Sequence, residues 1–160
     1  MKLRVSLPDQ TLEVIDDAGR VTRAYPVSTA ANGAGEESGS FCTPRGRHIV
    51  RARIGAGLPL GSVFVARRPT GEIYTPELGE AQPARDWILT RILWLSGKEP
   101  GYNRLGSCDT MRRYIYIHGS PDLAEMGVPG SHGCVRMRNA HSVDLFERVP
   151  CYTAVDITED

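Results

Sequence analysis

Residues able to do covalent chemistry fall close together in this chain of 160 residues. Ser131-His132-Gly133-Cys134-Val135-Arg136-Met137 sets a thiol between a histidine and an arginine. A second histidine stands upstream in Ile117-His118-Gly119-Ser120, with the twelve residues 119–130 between it and Ser131. A cysteine attacks carbonyls as thiolate, and at an unperturbed pKa of about 8.5 it is mostly protonated at neutral pH. An imidazole within hydrogen-bond reach can take that proton and later return it to a leaving amine. His118 and His132 both qualify. His132 shares a face with Cys134 only if the chain between them is extended. His118 ends an apolar run, 114–117, that a sheet would hold rigidly, and a base is better placed on a rigid element than on a loop. Gly133 lets the backbone approach a substrate, and N–H groups around Gly133 and Cys134 can receive a developing oxyanion. Arg136 would share the face of Cys134 on an extended chain and could bind a substrate carboxylate.

Each residue alone has a plainer explanation, because buried cysteines mostly pack and single histidines are mostly satisfied polar groups. Zinc is the stronger rival, with His118, His132 and Cys134 as ligands. No second Cys/His pair supplies a fourth ligand, and Cys42, Cys108 and Cys151 are scattered without a CxxC pair. The expectation is a nucleophilic enzyme with no metal and no cofactor.

Such a site needs rigid elements, and the first half of the chain reads as strands. Leu3, Val5 and Leu7 alternate with Lys2, Arg4 and Ser6, which makes one face apolar. Residues 11–15 and 21–27 flank the turn signal Asp16-Asp17-Ala18-Gly19 and predict a hairpin. Residues 28–43 shift to Ala, Gly, Ser, Asn and Glu and predict a surface loop, closed by Thr43-Pro44-Arg45-Gly46. Strands are expected at 48–54 and 62–67. Residues 69–85, with three prolines and two glycines, are expected to be irregular. Residues 87–95 have the β-branched and aromatic content of a buried strand, with 114–118 as its partner. Asn139 predicts an N-cap, followed by Ala140, Val143, Phe146 and Val149 at helical spacing and ended by Pro150. Residues 153–157 alternate as a last strand. The sum is one mainly β domain over residues 1–160.

Nineteen Lys+Arg balance nineteen Asp+Glu, a formal net charge of zero. Nucleic-acid affinity comes largely from phosphate neutralisation, so no nucleic-acid partner is expected. With 41% hydrophobic and 24% charged residues the chain reads as globular. No apolar run approaches the roughly 20 residues of a membrane helix. Only Lys2 and Lys98 are lysines, and the other seventeen basic residues are arginines. Arginine suits bidentate recognition of carboxylates, although genomic base composition produces the same bias. The start, Met1 to Asp9, lacks an apolar h-region, so a cytoplasmic protein is expected, or a periplasmic one if the chain is a trimmed piece. Four cysteines are few for a disulfide framework, and free thiols are the simpler reading.

The His118-Gly119 element, the spacing, and Ser131 to Met137 together resemble the signature of the L,D-transpeptidase catalytic domain, the YkuD-type family. Gln10 and Leu12 resemble its first hairpin, and Tyr25-Pro26-Val27-Ser28-Thr29 a stretch that recurs in it. Thr43-Pro44-Arg45-Gly46 resembles its TPxG turn, and residues 149–157 its terminal strand. The resemblance implies a β-sandwich with one C-terminal helix after the catalytic cysteine. It also implies a cysteine acyl transferase that attacks the carbonyl of the L-centre of diaminopimelate in a peptidoglycan tetrapeptide stem. D-Ala leaves, and the thioester passes to an amine or to water. Carried onto this sequence, Cys134 is the nucleophile, His118 the general base, and the Gly119 carbonyl orients the imidazole. His132 shapes the site, Gly133 and Cys134 supply oxyanion N–H groups, and Ser131 and Arg136 meet the substrate. The sequence departs from the family at Ser120, where threonine is common, and at Cys151, where glycine is usual. Arg136 stands where other branches carry asparagine.

Hydrolysis and cross-linking share this chemistry. A protein without a leader has no polymer to cross-link, so the first expectation is an L,D-carboxypeptidase of peptidoglycan recycling acting on a tetrapeptide stem or muropeptide. An L,D-transpeptidase of the wall is the alternative. The intact His118/Cys134 pair argues against a silent peptidoglycan-binding module. A monomer without a membrane partner is expected, sensitive to carbapenems at Cys134.

Overall fold

A computed structural model describes residues 1–160. The strands are β1 (Lys2–Ser6), β2 (Thr11–Ile15), β3 (Val21–Pro26), β4 (Gly46–Ile54), β5 (Ser62–Val65), β6 (Arg68–Ile73), β7 (Ile88–Gly97), β8 (Tyr116–Ser120), β9 (Val135–Arg138) and β10 (Ala154–Thr158). Two α-helices accompany them, the short α1 (Pro76–Ala81) and the main α2 (Asn139–Arg148), which follows Cys134. No helix is long and apolar enough to cross a membrane.

All ten strands join one sheet, in the order β3-β2-β1-β10-β4-β7-β5-β6, with β8 and β9 branching from β7. The ten-residue β7 is the hub. Leu93 pairs with Arg53 of β4 on one side and with Ile117 of β8 on the other. β8 and β9 then run parallel. The sheet curls until the chain leaving β3 meets β9, where Ser28 and Arg136 exchange two backbone hydrogen bonds of 2.9 Å. The mainly β fold with one main helix is as expected, and its packed layers come from one sheet rolled on itself.

The core follows from strand alternation. Leu3 and Val5, Leu12 and Val14, Leu93 and Leu95, Ile117, Val135 and Met137 all turn to one side and pack with Leu145 and Phe146 of α2. Burying one such side chain contributes roughly 1.5–3 kcal/mol, which fixes the register of β8 and β9. With Ile117, Val135 and Met137 committed to the core, Tyr116, His118, Cys134 and Arg136 must point to the opposite face.

Three stretches differ from the sequence expectations. Residues 69–85 are largely regular, forming β6 and α1. Thr75 caps α1, its hydroxyl accepting from Leu78 N, and proline opens the helix, a start signal hidden among the turn-forming residues. Asn139 is the first residue of α2 and not its cap. Its Oδ1 accepts from Thr90 Oγ1 at 2.6 Å and its Nδ2 donates to Asp122 at 3.3 Å, so the side chain ties the helix to β7. Within 28–43, Ser28, Thr29 and Ala30 are buried beside the segment that carries Ser131. The small side chains there permit close packing.

His48 is fully buried, with Nδ1–H donating to Gly46 O and Nε2 accepting from the Thr110 hydroxyl, both at 3.0 Å. Burial pushes its pKa down to about 4, against an opposing pull from the Gly46 carbonyl and Glu99. The folded state therefore keeps it neutral while the unfolded chain takes a proton below about pH 6.5. More protons are bound by the unfolded state between those values, so stability should fall as pH drops through that window, by about 3 kcal/mol over its span. Denaturant unfolding at about pH 7.5 and about pH 4.5 should show the loss, and His48→Gln should lose clearly less. An equal loss in the variant would place the pH dependence elsewhere.

Candidate active site

Cys134 sits just before β9, and its partly buried side chain packs against the small cluster of Phe64, Ile92 and Tyr116. The Tyr116 N–H donates to Sγ at 3.3 Å, and the thiol donates to the Tyr114 carbonyl at 3.4 Å. On the adjacent strand β8 is His118, which lies opposite Ile92 of β7 and Arg136 of β9. His118 is buried, and Nδ1–H donates to its neighbour's carbonyl, Gly119 O, at 2.6 Å. That bond fixes the tautomer and leaves the lone pair on Nε2, which has no protein partner and opens to the same cleft as Cys134. Gly119 is required by crowding, since a β-carbon there would lie 2.5 Å from Asn139 Oδ1 and 2.7 Å from Leu89 O.

The turn that presents Cys134 is braced from within. Ser131 Oγ donates to Cys134 O at 2.6 Å and accepts from Gly133 N at 3.1 Å. Thr43 Oγ1 donates to Gly133 O at 2.9 Å. Gly133 has φ +129°, and a β-carbon on it would meet Cys42 O at 3.1 Å. These bonds change two expectations. Ser131 lines the cleft, but its hydroxyl is engaged in the turn and not turned to a ligand. The Gly133 N–H is likewise occupied, so of the two expected oxyanion donors only the Cys134 N–H lacks a protein partner.

Burial pushes the Cys134 thiol up to about 12, with the Tyr116 N–H, Arg136 and Arg113 opposing the rise and Asp86 adding to it. Burial also holds His118 below the usual histidine value, while the Gly119 carbonyl and Asp86 pull the other way. The resting pair is therefore a neutral thiol and a neutral imidazole, suited to proton transfer during attack rather than to a preformed thiolate.

The cleft has a volume of about 660 Å³, and His118, Cys134, Ser131, His132 and Arg136 all line it. His132 is exposed at the rim, edge-on to Phe41 with ring centres 5.9 Å apart. It has none of the orientation that Gly119 gives His118. Arg136 lies across from Asp86, 3.7 Å away. No three His, Cys, Asp or Glu side chains converge as a metal-binding group, and all four thiols are unpaired. Sequence reasoning missed Arg67, Asp86, Arg113 and Tyr116. Tyr116 was recoverable, being two residues before His118 on the same strand face. Arg113 donates to Cys42 O at 2.7 Å and Gly35 O at 3.2 Å, pinning the 28–43 segment beside the cleft, a contact across too many residues for sequence to announce.

A curled sheet presenting a cysteine and an oriented histidine in one cleft, on adjacent parallel strands, defines the class of fold and site. The model of the L,D-transpeptidase catalytic domain, YkuD, matches residues 2–157, and the chain belongs to that family. No curated protein is matched by its sequence. The fold is shared with an L,D-transpeptidase from Xylanimonas cellulosilytica at 22% identity and a TM-score of 0.55, over 98% of this chain and 59% of that one. It is shared with a mutant of the Enterococcus faecium L,D-transpeptidase at 16% identity and a TM-score of 0.59, over 98% of this chain and 49% of that one. Mycobacterium tuberculosis L,D-transpeptidase 3, solved with a faropenem-derived adduct, is 16% identical with a TM-score of 0.55, over 98% of this chain and 59% of that one. This chain thus spans between about half and three fifths of those structures.

Proposed function

We propose that this chain is a cysteine acyl-enzyme peptidase acting on peptidoglycan stem peptides, releasing the terminal D-Ala from the L-centre of diaminopimelate in a tetrapeptide, with water as acyl acceptor. The observation that carries the reading is His118, oriented by Gly119 O, with its free Nε2 in the cleft that holds Cys134. As the substrate carbonyl meets Sγ, Nε2 takes the thiol proton and an S–C bond forms. The oxyanion faces the Cys134 N–H. Collapse breaks the C–N bond, and the imidazolium returns its proton to the departing D-Ala amine. A water then gives a proton to Nε2 and its oxygen to the thioester carbon, and the second collapse releases the tripeptide and restores the thiol.

The charge of the cleft supports water over an amine. Four arginines line it, Arg67, Arg112, Arg113 and Arg136, against the single carboxylate of Asp86, which is engaged by Arg136. An acceptor amine arrives as ammonium and would find no free carboxylate to draw it in. Kinship with proteins called L,D-transpeptidases supports cross-linking as the second reading. One experiment reads both. Purified protein incubated with disaccharide-tetrapeptide and with free tetrapeptide should give tripeptide by mass spectrometry. Dimer as the main product would favour the amine acceptor, and unchanged substrate would remove the peptidase reading.

A further inference from the structure

The hairpin between β5 and β6 turns at Ala66 and Arg67, whose φ values are +49° and +66°. Two-residue hairpin turns of this hand favour Asn-Gly, because a β-carbon is disfavoured at positive φ. Here the turn carries an arginine instead, and that arginine reaches into the cleft of Cys134. Its guanidinium carbon lies 4.7 Å from the centre of the Trp94 ring and 4.7 Å from that of Tyr114. Nη1 donates to the Tyr116 hydroxyl at 2.9 Å. Trp94 is itself anchored, Nε1 donating to Met111 O at 3.1 Å. Two aromatic rings and a phenol hold the guanidinium, yet this is its one side-chain hydrogen bond and no carboxylate pairs with it. A guanidinium has five N–H donors in a planar fork shaped for a carboxylate. A held, unpaired cation inside a substrate cleft is a place for an anion.

The two cationic ends of the cleft differ in kind. Arg136, opposite His118, faces Asp86, so that end presents both signs of charge. Arg67 lies at the end of Tyr114 and Tyr116 and presents positive charge alone. Cys134 sits between, with Tyr116 N–H on its sulfur. A peptide whose scissile carbonyl lies at Sγ extends one flank toward each end. The residue that leaves from a chain terminus has its nitrogen in the amide and carries one lone carboxylate, about 3.5 Å beyond the attacked carbonyl. That group matches the unpaired end. We propose that Arg67 anchors the free C-terminal carboxylate of the substrate and so selects peptides cleaved at their last bond, an assignment that rests on the stem-peptide reading above.

The test uses the whole chain, wild type and Arg67→Gln, with a tetrapeptide stem ending in D-Ala and the same peptide as its C-terminal amide. Release of the last residue and protection of Cys134 from iodoacetamide, followed by mass spectrometry, are read from the same samples. In wild type the acid should protect at roughly 10- to 100-fold lower concentration than the amide, and Arg67→Gln should bring that ratio near one. Arg67→Lys, which keeps the charge but loses the planar fork, should recover part of it. A ratio near one in wild type, or one kept in full by Arg67→Gln, overturns the assignment whether or not D-Ala is released. Protection that follows the expected pattern without any release keeps the anchor and removes the peptidase reading. Should Arg67→Gln fold poorly, Tyr116→Phe takes away the guanidinium's hydrogen bond and should lower the ratio several-fold, and an unchanged ratio there also overturns the anchor.

Discussion

Cys134→Ala should reduce D-Ala release from a tetrapeptide to background, a loss of roughly 10⁴-fold or more, because without the sulfur no acyl-enzyme forms and only binding remains. The prediction separates Cys134 from three other thiols that reactivity alone would not. Cys151 is exposed and Cys42 is half-buried, so a general alkylating agent has easier access to Cys151 than to Cys134. Neither has an oriented imidazole beside it. Acylation by a strained lactam needs a base to take the thiol proton as the ring opens, and His118 supplies one only at Cys134. A carbapenem should therefore add a single equivalent, mapped to Cys134 by peptide mass spectrometry, and add none to Cys134→Ala. Labelling at Cys42 or Cys151, or release of D-Ala by the alanine variant, would move the nucleophile.

How much of this was readable beforehand depends on the range of the contact. Local pattern was enough for the hairpin of β2 and β3, for β7 against β8, and for α2, since each is fixed by alternation or helical spacing over a few residues. It was also enough to put His118 on a strand, but the shared face of His118 and Cys134 follows only from the pairing of β8 with β9. What failed were features set by partners far along the chain or by the exact geometry of a turn. Asn139 looks like a cap until Thr90 and Asp122 claim its amide. Ser131 looks free to meet a ligand until Gly133 N and Cys134 O take its hydroxyl, a contact within three residues that only the turn geometry reveals. The 28–43 segment has a loop's composition, yet Arg113 and Thr43 hold it against the catalytic turn. Arg67 is the extreme case. Ala66-Arg67 carries no turn signal, and its place over Trp94 and Tyr114 exists only after the sheet has curled.

His118→Ala should lower turnover by roughly 10²–10⁴-fold, and the pH dependence of what remains should say why. With Cys134 pushed up to about 12, almost no thiolate exists at neutral pH without help. In wild type the help is Nε2, which works only while neutral. Burial holds His118 below the usual value of about 6.5, so kcat/KM should stay level as pH falls to that point and drop only beneath it. The variant has no such base. Its residual rate should come from the small thiolate fraction and rise about tenfold per pH unit through the neutral range. Two alternatives give different curves. A resting thiolate–imidazolium pair would make wild type fast toward iodoacetamide at low pH, whereas a neutral pair reacts slowly there. If His132 were the base, His118→Ala would keep a level profile with a modest loss, while His132→Ala would show the steep rise. The exposed position of His132 against Phe41, without a carbonyl to fix its tautomer, weighs against that outcome. The steep rise is therefore expected from His118→Ala, and the level profile from His132→Ala.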